Sequence, residues 1–174
     1  PSMFTSRNAL ISLVAAAACF AMPTQAADSV FTAAMDGAQC LPEPVTTPAT
    51  GAVELRVSAD GKKIDYKITL NKLSNPSQAD LHVGAATQNG QAVVKLWPLG
   101  SAAGKRGEVT GVLAEGSFDA GDFIGPMTGA PMSDLLDEIR AGNTYVNVHT
   151  YDGMDPPYSG PGDYRIGEIR GQLK

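Results

Sequence analysis

Apolar and polar residues alternate along two long segments of this chain, and the alternation limits what the chain can fold into. Val53, Leu55 and Val57 are separated by charged residues, and the same period of two runs through residues 64–70. Successive side chains of a strand point to opposite faces, so this period predicts half-buried strands of an antiparallel sheet. An Asp-Gly pair at residues 60–61 predicts a tight hairpin turn between the two segments.

Further segments have a strand-like composition and are separated by turns rich in glycine and proline. They are residues 30–35, 79–83, 92–97, 107–113, 144–151 and 165–173. With 19 glycines and 12 prolines among 174 residues, the chain is suited to short strands joined by tight turns. We therefore predict an all-β fold, a Greek-key or immunoglobulin-like β-sandwich of about eight antiparallel strands.

One segment has the spacing of a helix instead. Leu135, Leu136 and Ile139 would share one face of a short helix over residues 134–140. Ser133 is the predicted N-cap of this helix, and Gly142 is expected to end it.

The N-terminal part of the chain has the features of an export signal. Arg7 precedes an uncharged run over residues 9–22, and the small residues Thr24 and Ala26 suit cleavage after Ala26. We expect residues 1–27 to be this signal and residues 28–174 to be one domain in the periplasm or outside the cell. The alternative is a retained hydrophobic helix over residues 4–27 that anchors the domain in the inner membrane.

Composition and two loops indicate the kind of partner. A formal net charge of −5 argues against nucleic acid, and against lipid contact outside the N-terminal segment. Residues 120–130 and 152–163 are long loops rich in glycine and proline, which often form contact surfaces. We expect a protein partner, with an integral membrane complex as one possibility. The predicted contact residues are Pro126, Met127, Met154, Pro156, Pro157 and Tyr158.

The two histidines of the chain lie on predicted strands and are candidate metal ligands. Asp80 and His82 are two residues apart, so they share one strand face, and His149 lies on a later strand. If the two strands are neighbours, these side chains form a cluster suited to copper or zinc. The alternative is that both histidines are ordinary hydrogen-bonded residues of the sheet.

Cys40 is the one cysteine outside the N-terminal segment. It is a candidate soft ligand for the same metal. Two alternatives are an intermolecular disulfide and a small buried apolar residue.

Glu168 and Arg170 lie two residues apart on the last predicted strand. We expect them to form ion pairs with Lys67 or Asp65 on a neighbouring strand.

Four motifs occur in the order and spacing of a CHRD (chordin-type) domain. They are GAQCLPEPVTTPATG at residues 37–51, ADLHVGAATQNGQAVVKL at 79–96, IRAGNTYVNVHT at 139–150 and GEIRGQL at 167–173. The chain resembles this family over about residues 29 to 173. The resemblance implies a Greek-key or immunoglobulin-like sandwich and a secreted domain without a defined activity.

The predicted strand order is more distantly similar to that of copper/zinc superoxide dismutase. Asp80 stands where that resemblance implies a first histidine ligand, so dismutase chemistry is not expected. The sequence also lacks the HExxH, CxxC and phosphate-loop motifs of common enzyme classes. We therefore expect a non-catalytic binding or structural domain, such as an accessory subunit of a photosynthetic or other energy-converting membrane complex. The alternative is a periplasmic copper or zinc protein that uses His82 and His149.

Overall fold

The computed structural model describes residues 29–98, 104–154 and 156–174. The strands are β1 (Val30–Asp36), β2 (Thr50–Val57), β3 (Lys63–Ser74), β4 (Pro76–Val83), β5 (Ala92–Trp97), β6 (Glu108–Asp119), β7 (Thr144–Thr150) and β8 (Ile169–Gln172), and the helix is α1 (Met132–Arg140). The predicted export signal or membrane helix lies outside the described residues and stays a prediction. No helix in the described part is long and apolar enough to cross a membrane.

The eight strands of the described part form one antiparallel sheet, in the order β5-β4-β7-β8-β1-β2-β3-β6. The edge strands β5 and β6 approach each other, so the sheet is nearly closed around the core. The Tyr66 side chain extends across this core, and its hydroxyl donates a 2.7 Å hydrogen bond to the Leu96 carbonyl. The predicted all-β antiparallel fold is confirmed.

The alternation in the sequence places one face of β2 and β3 in the core. Leu55 pairs with Tyr66 and Val53 pairs with Ile68, and all four side chains are at most 5% exposed. The helix α1 adds the predicted apolar face, in which Leu135, Leu136 and Ile139 are buried. Burial of apolar area of this kind is the main term that stabilises such a domain.

Two element boundaries differ from the prediction. The helix begins at Met132 with Pro131 as its N-cap, so Ser133 lies inside the first turn, where its hydroxyl bonds the Asp134 carboxylate. The last strand begins at Ile169 instead of residue 165. Gly167 interrupts it with a φ of +127°, where a Cβ atom would lie 2.2 Å from the Asn147 side chain.

A buried carboxylate holds the loops at this end of the sheet. Glu168 is 1% exposed and accepts hydrogen bonds from the Thr47 hydroxyl (2.6 Å), the Thr150 hydroxyl (2.7 Å) and the Gly162 amide (2.7 Å). The expected ion pairs of Glu168 and Arg170 with β3 are therefore wrong. Lys67 pairs with Glu115 on β6, and the Asp65 carboxylate pairs with Lys63 on its own strand.

We predict that Leu55→Ala lowers the free energy of unfolding by about 2–5 kcal/mol, because it leaves a cavity at a position with no exposure. The matched control is Val112→Ala on β6, where the side chain is 46% exposed and the loss should stay below about 1 kcal/mol. Urea denaturation of both variants measures the difference. Equal losses would contradict the assignment of the two strand faces.

Candidate metal site

The pairing of β4 with β7 brings the candidate metal ligands together. Gln78 pairs with His149, and Asp80 lies opposite Asn147 in the same register. Leu81 and Val148 on the same two strands are fully buried in the core. The ligands alternate with these core residues, so the site lies on the outer face of the sheet.

Asp80, His82 and His149 each offer one ligand atom, and these three atoms lie within 4.8 Å of one another. Asp80 is 2% exposed, and the His149 side chain is 16% exposed. The structure thus places three of the four predicted ligands in one small group. Zinc–ligand bonds are about 2.0–2.2 Å long, which puts two ligands of one tetrahedral ion about 3.4 Å apart, so the three side chains would have to move closer together around a bound ion.

Backbone carbonyls orient both imidazole rings. The His82 Nδ1 lies 3.0 Å from the Gly90 carbonyl, and the His149 Nδ1 lies 2.8 Å from the Arg165 carbonyl. A carbonyl oxygen only accepts hydrogen bonds, so each Nδ1 carries a proton, and each Nε2 presents a lone pair when its ring is neutral. This is the arrangement that metal-binding histidines commonly have.

Three atoms of the group are buried without a hydrogen-bond partner, while the second carboxylate oxygen of Asp80 accepts from the Gln78 side-chain amide. Asp80 Oδ1, His82 Nε2 and His149 Nε2 are buried without a hydrogen-bond partner. His149 Nε2 lies 3.4 Å from Asp80 Oδ2, a contact that joins two acceptors when His149 is neutral and is an ion pair when it is protonated. Burial lowers the pKa of His82, so protonation of this ring does not readily supply the missing donor at neutral pH. A bound cation would satisfy all three atoms.

Tyr145 and Arg170 hold the loop that orients His82. The Tyr145 ring stacks on the His82 ring at 4.8 Å, and its hydroxyl bonds the amide (3.1 Å) and the carbonyl (3.2 Å) of Gly90. The Arg170 guanidinium lies 3.5 Å from the centre of the Tyr145 ring and donates to two carbonyls of the same loop, those of Ala85 and Gln88. The sequence places Tyr145 on the face of His149, but no sequence pattern identifies these loop carbonyls as acceptors.

Cys40 is not in the group of three, within the part of the chain that the structure describes. It is 5% exposed, and its Sγ lies 3.9 Å from the Asp36 carbonyl. Burial raises the pKa of the thiol to about 12. The thiol is therefore protonated at neutral pH, which suits the alternative of a small buried apolar residue.

The predicted contact residues lie in different environments. Met127 is 9% exposed and belongs to the core, whereas Pro126 is exposed. In the second loop, Met154 and Tyr158 are 66% and 48% exposed. Pro156 is exposed and Pro157 is half-buried. Their role in partner contact stays a prediction.

A model of the CHRD domain matches residues 31–156 of the chain. The chain belongs to the CHRD family. The matched part of this CHRD domain contains Asp80, His82 and His149, while Arg165 and Arg170 lie beyond it. Membership favours a binding or structural domain. No curated protein and no solved structure matches, so the more distant similarity to superoxide dismutase is not supported.

We predict that Tyr145→Phe lowers the free energy of unfolding by about 0.5–1.5 kcal/mol, because it removes the hydrogen bonds to Gly90. We also expect more of the Nε2-protonated tautomer of His82, which ¹⁵N NMR of the metal-free protein measures. Tyr158→Phe is the control, since that ring is half-exposed. An unchanged tautomer and stability in Tyr145→Phe would contradict a positioning role for Tyr145.

Proposed function

We propose that this CHRD domain is exported and binds one divalent zinc or copper ion through Asp80, His82 and His149. The observation that carries the proposal is the convergence of Asp80, His82 and His149, in which one carboxylate oxygen and both Nε2 atoms are buried without a hydrogen-bond partner. Unpaired buried polar groups destabilise a fold by about 1–3 kcal/mol each. A metal ion removes this penalty, since all three atoms would then be coordinated.

The donor set indicates the class of metal. Two imidazole nitrogens and one carboxylate oxygen suit Zn²⁺ and Cu²⁺. A site for Cu⁺ would favour thiolate or thioether sulfur, and Cys40 is not in the group. Three protein ligands leave a fourth position for water or for a group from another molecule.

We expect the purified chain to bind one equivalent of zinc in a calorimetric titration. Zinc at about 100 times its Kd should then raise the free energy of unfolding by about 2.7 kcal/mol. Asp80→Asn, which keeps the size of the side chain, should weaken binding by at least about 100-fold, and so should His149→Ala.

The matched control for Asp80→Asn is Asp65→Asn, since Asp65 is an exposed carboxylate on another strand. This variant should bind zinc as the wild type does. Absence of stoichiometric zinc and copper binding by wild type would refute the proposal. Equal affinities in Asp80→Asn and wild type would refute the assignment of the ligands.

A second candidate function is contact with a protein partner, as an accessory subunit of a membrane complex in the periplasm. It is supported by exposed large apolar side chains near the 152–163 loop, with Tyr158 48% and Ile166 56% exposed. Surface patches of this kind often mark interaction sites. Residues 4–27 would supply the anchor, and a photosynthetic or other energy-converting complex would be a suitable host.

The mass of the intact chain tests the second candidate, measured separately in the membrane and periplasmic fractions of the native cell. We expect a membrane species that retains residues 4–27 and co-purifies with other subunits. A soluble species that starts at Ala27 would refute the anchored subunit and support a free periplasmic domain. A full-length chain found in the cytoplasm would refute export in both candidates.

A further inference from the structure

A groove on the surface is distinct from the metal site, and we call it the tyrosine groove. It encloses about 380 Å³ between the segment after Cys40 and the segment after Pro157. Pro42, Glu43 and Pro44 line one wall, and Tyr158, Tyr164 and Ile166 line the other. The volume has room for one long side chain together with part of the backbone that carries it.

Hydrogen bonds within residues 158–163 fix the wall of the tyrosine groove that carries Tyr158. Tyr158 has a φ of +68°, which is unfavourable for a residue with a side chain, and its amide donates to the Asp163 carbonyl at 3.0 Å. The Asp163 carboxylate in turn accepts from the amide (3.0 Å) and the hydroxyl (3.1 Å) of Ser159. Strained backbone that is fixed by its surroundings is concentrated at binding sites. The Tyr158 ring is therefore presented by a defined loop.

The chemistry of the tyrosine groove suits a cation with an apolar stem. The Tyr158 and Tyr164 rings lie 6.4 Å apart at an angle of 48°. Of the described residues that line the groove, Glu43 is the one that carries a charge. Aromatic faces attract cations, and a carboxylate beside them adds an ion pair. Pro42 and Pro44 have no amide hydrogen, so this wall is poorly suited to pairing with an added strand.

Arginine already packs on tyrosine elsewhere in this chain. The Arg170 guanidinium lies 3.5 Å from the centre of the Tyr145 ring, and that of Arg165 lies 3.9 Å from the centre of the Tyr151 ring. A planar guanidinium stacks on aromatic faces more readily than an ammonium group does. Arginine is therefore the side chain whose chemistry best matches Tyr158, Tyr164 and Glu43.

We propose that the tyrosine groove binds an arginine side chain of a protein partner. This inference rests on the protein contact of the second candidate function, but it requires neither the membrane anchor nor the metal site. The partner would present the arginine from an exposed segment, with the guanidinium against the rings and the Glu43 carboxylate, and with the aliphatic stem near Ile166.

The probe is a blocked peptide, acetyl-Gly-Gly-Arg-Gly-Gly-amide, titrated into the purified chain and followed by NMR. We expect saturable shifts of the Tyr158 and Tyr164 ring resonances. The same peptide with citrulline, which has the shape of arginine without its charge, should bind at least about fivefold more weakly.

Variants of the chain locate the binding. Glu43→Gln and Tyr158→Ala should each weaken binding of the arginine peptide by at least about threefold. Glu115→Gln on β6 is the matched control, because it removes an exposed carboxylate far along the chain from the groove, and it should leave binding unchanged.

The proposal would be overturned by an absence of saturable shifts, by equal binding of the citrulline peptide, or by shifts centred on the acidic residues of β2 and β6. These outcomes are separate from the test of the anchored subunit. A chain found as a free periplasmic species would refute the anchored subunit, but not arginine binding in the tyrosine groove. A failed peptide titration would refute arginine binding in the groove, but not the anchored subunit.

Discussion

The buried carboxylate of Glu168 connects the parts of this domain on which its candidate sites depend. It binds the Thr47 hydroxyl from the segment after β1, the Thr150 hydroxyl from the end of β7, and the Gly162 amide from the long loop. A carboxylate removed from water needs donors of this kind, so the three segments are held together at one point. The segment after β1 and the long loop also supply residues that line the tyrosine groove.

The segment of residues 164–166 serves both candidate sites. Its backbone faces the sheet, where the Arg165 carbonyl accepts from His149 and the Ile166 carbonyl accepts from the Asn147 amide at 2.9 Å. Its side chains Tyr164 and Ile166 face the tyrosine groove. Gly167 permits this arrangement, because a Cβ atom there would collide with Asn147. A regular strand over these residues would use the same carbonyls in its ladder and leave the His149 ring without its acceptor.

The candidate metal site differs from the rest of the sheet, because some of its buried polar atoms have no hydrogen-bond partner. Glu168 has donors for both carboxylate oxygens, whereas Asp80 Oδ1 and the two Nε2 atoms beside it have none. Tyr145 and Arg170 nevertheless hold the loop whose Gly90 carbonyl orients His82. A coordination site needs rings that are already oriented and whose second nitrogen is still free to bind an ion. Both histidines meet this description.

The sequence by itself determined the antiparallel β class, the buried faces of β2 and β3, and the common strand face of Asp80 and His82. These features are local, because a period of two fixes the direction of each side chain within its own strand. Tertiary structure decided that β4 and β7 are neighbours, that Cys40 lies outside the group of candidate ligands, and that Glu168 is buried instead of paired with β3. It also decided the formation of the tyrosine groove, whose two walls come from segments more than 100 residues apart in the sequence. Alternation within a strand carries no information about which strand lies beside it or how a loop folds over it, since both depend on contacts between distant parts of the chain.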